Sequence, residues 1–452
     1  MIDNYKFLNF KNYYLSGIGG ISMSALAKYL LSIGKKVIGS DLKSCDLTDE
    51  LEFLGVKIDY TQSGKYLDES YAFVYSSAIS QDNAEMVKAK ELGLPIIKRS
   101  ELLGNICSNF PLSIGVSGSH GKTTTTAMIA QILISGKYLP TVFLGGESVE
   151  FGNFYNGGGN IVLAEACEYK KNFLNIRPKI STVLNIDNDH LDSYVDLNEE
   201  VAVFEKFIKG SIAVINADDV KANGIFSNAK VSFGINNQAN FTARRITERQ
   251  NGISFSVYQS GILIDRINLR LKGKHNVYNA LCAIAVCSVI KVPFKTIKKG
   301  LEDYRGVKRR NELIFCKDGL QIFADYAHHP SEIYSLIETY KKEIDSTLFV
   351  FQPHTYSRTE ILMSEFLEVL SKCKNLIIYK TYPARERYSY KGSAMKLFCN
   401  LSNSGIKHLM FFNEEEDLSK EILSETKKYS KIIFVGAGDI YSVAKKIVHL
   451  IK

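Results

Sequence analysis

Leu112-Ser113-Ile114-Gly115-Val116-Ser117-Gly118-Ser119-His120-Gly121-Lys122-Thr123-Thr124-Thr125-Thr126 is the stretch on which the fold turns. It reads as a buried strand, a tight loop of small residues and a helix running through Ala127 to Ile134. Gly118 and Gly121 let the backbone bend sharply and expose N–H groups, which join the helix N-terminus in a positive cradle for phosphate. Across Gly118, Ser119, His120, Gly121, Lys122, Thr123 and Thr124, the lysine reaches toward outer phosphates and the Thr123 hydroxyl toward a magnesium ion. Val116 occupies the first glycine position of the strict phosphate-loop pattern, but the Gly-x-x-Gly-Lys-Thr core is intact. The expectation is nucleotide phosphate binding; the plain alternative is a strand–helix turn with a surface lysine.

Outward from this loop, the 452 residues suggest two to four domains. A hydrophobic share of 45% and a charged share of 23% are those of a globular protein with ample core. The net charge of +8 favours anionic ligands, but the lysines are scattered and no basic run points to nucleic acid. None of the eight cysteines forms a C-x-x-C pair, which argues against a zinc ribbon or a thioredoxin-like motif. Met1 to Phe10 does not read as a signal peptide, and no apolar run approaches the roughly 20 residues of a membrane helix, so a cytoplasmic protein is expected.

Before the loop, Tyr13 to Ser16 reads as a strand, Gly17-Ile18-Gly19-Gly20 as a glycine turn, Ala25 to Ser32 as a helix, and Lys36 to Gly39 as a second strand ending at Asp41. This is a Rossmann-like half with Ser22 in place of its third glycine. Gly17, Gly19, Gly20 and Asp41 are candidates for a diphosphate-bearing ligand; a helix-packing turn is the alternative. Ser76 and Ser77 follow the strand Ala72 to Tyr75, where a ligand in the crevice would touch them. A boundary is placed near Gly104 to Phe110.

After the loop, the strand Ile161 to Ala164 delivers Glu165, a reasonable magnesium ligand. The strand Ser181 to Ile186 ends in Asp187-Asn188-Asp189-His190-Leu191-Asp192, too polar for a core. His190 is an unusual magnesium ligand and would admit manganese; a helix cap at Asp189 or Asp192 is the alternative. Phe241 to Leu269 reads as a small antiparallel insertion, with Asn251-Gly252 as a hairpin turn. Asn276 and Asn279 share one face of the next helix, a spacing that suits a planar base or plain capping.

Beyond Arg310, strands near Gln321, Thr347, Leu376, His408 and Ile432 alternate with helices, a doubly wound α/β unit. Polar groups gather at its strand ends: Asp325 to Pro330, Gln352 to Arg358, Tyr382 to Glu386 and Gly436 to Asp439. Six of the eight histidines (His120, His190, His275, His328, His329 and His354) fall in such loops, which argues for a polar cleft.

Together these stretches resemble the Mur ligases, the ATP-dependent amide ligases of peptidoglycan synthesis. The likeness rests on Gly17 to Gly20, Met23 to Ala27, Ser76 to Ile79, Gly118 to Thr126, Glu165 to Tyr169, Asp189 to Asp192, Asp325 to Pro330 and Phe351 to His354. It implies three α/β domains: a Rossmann-like N-terminal domain (1–106) for the UDP-sugar, a central P-loop ATPase-like domain (107–312) for ATP, and a C-terminal Rossmann-like domain (313–452) for the amino acid. It implies that the Gly17 turn binds UDP, that Thr123, Glu165 and His190 hold magnesium, and that Asn276 and Asn279 lie near adenine. Arg309 and Asp325 would meet the nucleotide from other sides, and His328, His354 and Arg358 the amino acid and the acceptor carboxylate. Substrates of the nearest branch are UDP-N-acetylmuramate and L-alanine, with no nucleic-acid or membrane partner and a monomer or weak homodimer expected. The rival readings are a ligase that attaches a recycled peptide, a P-loop regulatory ATPase, and a nicotinamide-dependent dehydrogenase. Lys122→Ala is expected to abolish ligation and leave the fold intact.

Overall fold

The computed structural model describes residues 7–187, 194, 196–222, 225, 230–249 and 252–451. Among these, the strands form three sheets of five, ten and six. They fall into two compact units: Met1–Leu271 with Asn276–Arg305, and Lys272–His275 with Gly306–Lys452.

The first sheet is all parallel. Across it run Lys57–Asp59, Lys36–Ser40, Asn12–Ser16, Tyr71–Tyr75 and Ile96–Lys98. Strand order reverses at Asn12–Ser16, so the crevice beyond its carboxyl end opens over Gly17. The helix that follows is Ile21–Ser32, four residues longer than expected, because the extended backbone of Gly20 (φ −64°, ψ 141°) is its N-cap.

In the ten-stranded sheet, Leu112–Ser117 lies between Ile180–Val183 and Ile161–Glu165, parallel to both. A strand with strands on each side and helices on both faces is buried along its length: Ile114 and Val116 are buried, and the buried Ser117 hydroxyl donates to Thr182 O. The expected insertion is continuous with this sheet. Phe241–Arg249 pairs in parallel with Val231–Gly234, then Gly252–Gln259 and Ile262–Leu269 extend the edge as antiparallel strands. Asn251 of the expected hairpin turn lies outside the described residues. The helix bearing Asn276 and Asn279 spans Lys274–Val289.

In the second unit the order is Glu312–Lys317, Leu320–Asp325, Lys431–Val435, Thr347–Phe351, Asn375–Tyr379 and His408–Phe412. All neighbours are parallel except Glu312–Lys317, an antiparallel edge strand not anticipated from the sequence. Its alternation of exposed and part-buried residues carries a weaker signal than the buried strands beside it.

The first two sheets share one compact unit because their cores are continuous. A single apolar cluster runs from Tyr13, Leu26 and Leu30 through Phe143 to Phe173 and Phe204. The Tyr29 ring on helix Ile21–Ser32 meets Phe143 edge-on at 5.5 Å and Phe154 at 6.3 Å. Beside these rings Asn153 is fully buried and fully used. Its Nδ2 donates to Ile21 O (2.7 Å) and Ser24 Oγ (2.8 Å), and its Oδ1 accepts from Lys28 Nζ (2.8 Å). Truncating it strands those partners in a dry contact. Asn153→Ala should therefore lower stability by about 1–3 kcal/mol, read as a drop in the urea midpoint with an unchanged m-value.

Candidate functional site

The loop after Leu112–Ser117 is held in shape by the segment after Ile180–Val183. Ser119 N donates to Asn185 O (3.0 Å) and His120 N to Asn185 Oδ1 (2.7 Å), while Asn185 Nδ2 donates back to His120 O (3.1 Å). The N–H groups of Ser119 and His120 are thus committed to the scaffold. The N–H groups of Lys122, Thr123 and Thr124 at the helix start have no partner within the helix and are the donors a phosphate would meet there. Gly121 is the N-cap, with φ 85°, and a Cβ there would lie 2.5 Å from Asn279 Oδ1. Glycine is required both for the left-handed backbone and for the close approach of that asparagine. Asn279 Nδ2 donates to Asn276 Oδ1 (3.2 Å), so both asparagines stand beside the loop in one buried cluster.

Lys122 folds back over this loop. Its Nζ donates to Gly118 O (2.6 Å), Ser119 O (2.9 Å) and Glu168 Oε1 (2.9 Å). Glu168 is fully buried, and the lysine side chain is 15% exposed. Burial works against the ammonium, but Glu168 outweighs it and holds the lysine pKa above its ordinary value. One helical position on, Thr123 Oγ1 donates to Glu165 Oε2 (3.1 Å), and Gly145 N donates to Glu165 Oε1 (2.6 Å). A hydroxyl and a carboxylate, both hard oxygen donors, stand side by side at the helix N-terminus. That donor set suits a magnesium ion. His190, with Asp189 and Asp192, lies outside the described residues.

At the crevice of the first sheet, Gly17 N and Ile18 N donate to Ser40 O, and Gly20 N to Gly17 O. Asp41 does not project freely: its Oδ2 accepts from Gly19 N (2.8 Å) and its Oδ1 from Leu42 N (2.7 Å). Ser76 Oγ comes within 3.6 Å of where a Cβ on Gly17 would stand, whereas Ser77 is exposed. Gly17, Gly19, Gly20, Asp41 and Ser76 are therefore gathered in one place. Beneath them Glu85 accepts hydrogen bonds from Tyr14, Ser16 and Ser40, tying together the ends of two strands. A glutamate in an ordinary helical stretch gave no sequence signal for that role.

The second unit collects its polar residues at one sheet edge. Arg309 Nη2 donates to Gly438 O (3.0 Å) and Gly436 O (3.3 Å), with its guanidinium 4.6 Å from the centre of the Tyr326 ring. Asp325 accepts from Asn311 N and Ala327 N (both 2.7 Å), and burial pushes its carboxyl up to about 6. His328 Nδ1 stands 3.3 Å from Glu332, and its ring meets His354 edge-on at 5.9 Å. His354 is stacked on Tyr382 (5.4 Å), and Arg358 approaches its Nδ1 at 3.3 Å. Burial, with His328 and Arg358 adding to it, lowers the His354 pKa to about 4. Gln352 is buried between Asp439 (2.7 Å) and Ile440 N (3.1 Å), bracing this edge. Glu168 and Gln352 both stand within motifs singled out in the sequence, but their buried bracing roles depend on partners distant along the chain.

Two outcomes follow from this geometry. Lys122→Ala should carry a stability cost of about 3–5 kcal/mol, because a buried carboxylate loses its lysine; the fold is not indifferent to that change. Lys122→Met combined with Glu168→Gln should recover most of the loss, as thermal unfolding of the single and double variants would show. His354 should titrate near pH 4 by nitrogen-15 NMR. Its folded pKa lies below the ordinary 6.5, so the folded protein should lose stability as pH falls from about 6.5 toward 4. His354→Asn should flatten that slope by about one proton.

The chain matches three family models in succession. They are Mur ligase family, catalytic domain (residues 12–111), Mur ligase middle domain (116–287) and Mur ligase, glutamate ligase domain (309–438). The UDP-N-acetylmuramate–L-alanine ligase of Acetivibrio thermocellus is 37% identical over 447 residues, covering 96% of this chain and 95% of the relative. That of Caldanaerobacter subterraneus is 36% identical, covering 97% of each. A crystal structure of UDP-N-acetylmuramate-alanine ligase from Thermotoga maritima superposes with a TM-score of 0.85 at 28% identity, over 97% of this chain and 99% of that one. A murein peptide ligase from Psychrobacter arcticus shares the fold, with a TM-score of 0.71 at 22% identity over 97% and 98%. All three segments of the chain answer to one family in one order, and the chain belongs to the Mur ligases.

Proposed function

We propose that this chain is an ATP-dependent ligase joining L-alanine to the lactyl carboxylate of UDP-N-acetylmuramate, with release of ADP and phosphate. The observation that carries the reading is the phosphate cradle at Lys122–Thr124 with the Thr123–Glu165 oxygen pair beside it. It is supported by the likeness of the whole chain to relatives that bear that activity in their names. In this reading residues 1–106 take the sugar nucleotide at Gly17, Gly19, Gly20, Asp41, Ser76 and Ser77. Residues 107–312 take ATP on Gly118 to Thr124, with Asn276 and Asn279 near the base. Residues 313–452 take the amino acid through His328, His354 and Arg358, with Arg309 and Asp325 assigned to the nucleotide. The same reading places the protein in the cytoplasm, and no described helix is long and apolar enough to cross a membrane.

Carboxylate and amine do not condense in water until the carboxylate carries a leaving group. An oxygen of the lactyl carboxylate attacks the γ-phosphorus in line, and ADP leaves, giving an acyl phosphate. Magnesium, held by Thr123 and Glu165, supplies positive charge to the phosphate oxygens when bound. Lys122 and the N–H groups of the helix start stabilise the same oxygens, and they are already fixed in place before the reaction. The neutral amine of alanine then attacks the acyl carbon and phosphate departs. The amine must first lose a proton. His354 stays neutral down to about pH 4 and is a weak base; His328, with Glu332 beside its Nδ1, takes that role.

Phosphate release should require UDP-N-acetylmuramate, ATP and L-alanine together, and mass spectrometry should find the alanylated sugar nucleotide. Equal turnover without the sugar nucleotide would return the chain to the regulatory-ATPase reading. Preference for a tripeptide over L-alanine would return it to peptide recycling.

A further inference from the structure

Arg99 plays no part in the account so far. It follows strand Ile96–Lys98 and opens helix Arg99–Ser108, part-buried, with burial holding its guanidinium pKa below the ordinary value. It lines a small crevice with Ser22, Leu26, Phe143, Gly145 and Glu165. Among the described residues it makes no hydrogen bond or ion pair. Glu165 acts on it only through space, and a part-buried guanidinium without a hydrogen-bonded partner is costly; an arriving anion restores that solvation.

The walls of the crevice say where that anion comes from. Ser22 stands in the first turn of helix Ile21–Ser32, directly after the glycine turn assigned to the sugar nucleotide. Glu165 belongs to the oxygen pair assigned to magnesium, and Gly145 N donates to it. Glu165 and Cys167 lie within electrostatic reach of both Arg99 and Lys122, so the two cations flank one small region. The ligand that spans from the glycine turn to the γ-phosphate is the acceptor substrate, and the group it presents there is the carboxylate to be activated. A guanidinium offers a planar fork of donors matched to a carboxylate.

We infer that Arg99 binds the reacting carboxylate of the sugar-nucleotide substrate: it holds one oxygen while the other attacks phosphorus, and it remains on the acyl phosphate that forms. This rests on the ligase reading. The diphosphate of the same substrate is the other oxyanion within the substrate's span, and the test separates the two.

The experiment compares the full chain with Arg99→Met and Arg99→Lys. For Arg99→Met the KM for UDP-N-acetylmuramate should rise at least tenfold, with a fall in kcat, while the KM for ATP stays within twofold. Arg99→Lys should recover part of the loss. UDP alone should bind wild type and Arg99→Met within twofold by calorimetry. The unliganded Arg99→Met protein should melt at the same temperature as wild type or higher, since a strained cation has been removed. A lower melting temperature with unchanged KM would make Arg99 structural and overturn the inference. Equal loss of affinity for UDP would overturn the carboxylate assignment in favour of the diphosphate. If wild type binds the sugar nucleotide but does not ligate, the ligase reading fails. Calorimetry of UDP-N-acetylmuramate on Arg99→Met then still decides whether this residue holds the ligand, with unchanged affinity overturning it.

Discussion

A lysine drawn out of water against a wholly buried carboxylate is the constraint on which the centre of this molecule depends. The Lys122–Glu168 pair does two things at once. It keeps the ammonium charged in a place where burial works against that charge. It also pulls the lysine back across the carbonyls of Gly118 and Ser119, so the loop is closed by its own side chain. Desolvation makes such a pair expensive to assemble, and its contribution is better read as positioning than as stability. A charge fixed before a phosphate arrives need not be reorganised when negative charge develops.

The arrangement around that pair spreads the cost over several elements. Asn185 secures the loop from the neighbouring strand end, Gly145 orients Glu165 through a backbone N–H, and Asn279 closes on Gly121 where any side chain would collide. None of these contacts touches a phosphate. They hold the groups that would, among them the donors at the helix start.

The chain carries three sheets but packs into two compact units, and the physical reason lies in one helix. Ile21–Ser32 covers its own sheet with Leu26 and Leu30 and turns Tyr29 and Lys28 toward the strands Thr141–Ser148 and Gly152–Asn156. A core that passes without interruption from Tyr13 to Phe204 couples the sugar-nucleotide crevice to the phosphate loop. It also creates the crevice where Arg99 stands, with walls from helices Ile21–Ser32 and Arg99–Ser108 and from strands of the ten-stranded sheet.

Local sequence determined most of the architecture. The strands around the phosphate loop and the parallel strands of the C-terminal sheet follow from short apolar runs bounded by glycine and polar residues, and the loop itself from glycine spacing next to lysine and threonine. These signals are local because backbone conformation, strand burial and helix starts are set by residues within a few positions of each other. The reach of the first helix back to Ile21 depended on a cap that spacing alone underestimates. The partners of the charged groups were decided only by the fold. Lys122 meets Glu168 across 46 positions, and Asp41 turns inward to Gly19. Arg99 and Glu85 sit in ordinary helical sequence that marks neither as special. A buried charge takes its meaning from what surrounds it in space, and that environment exists only once distant segments have packed together.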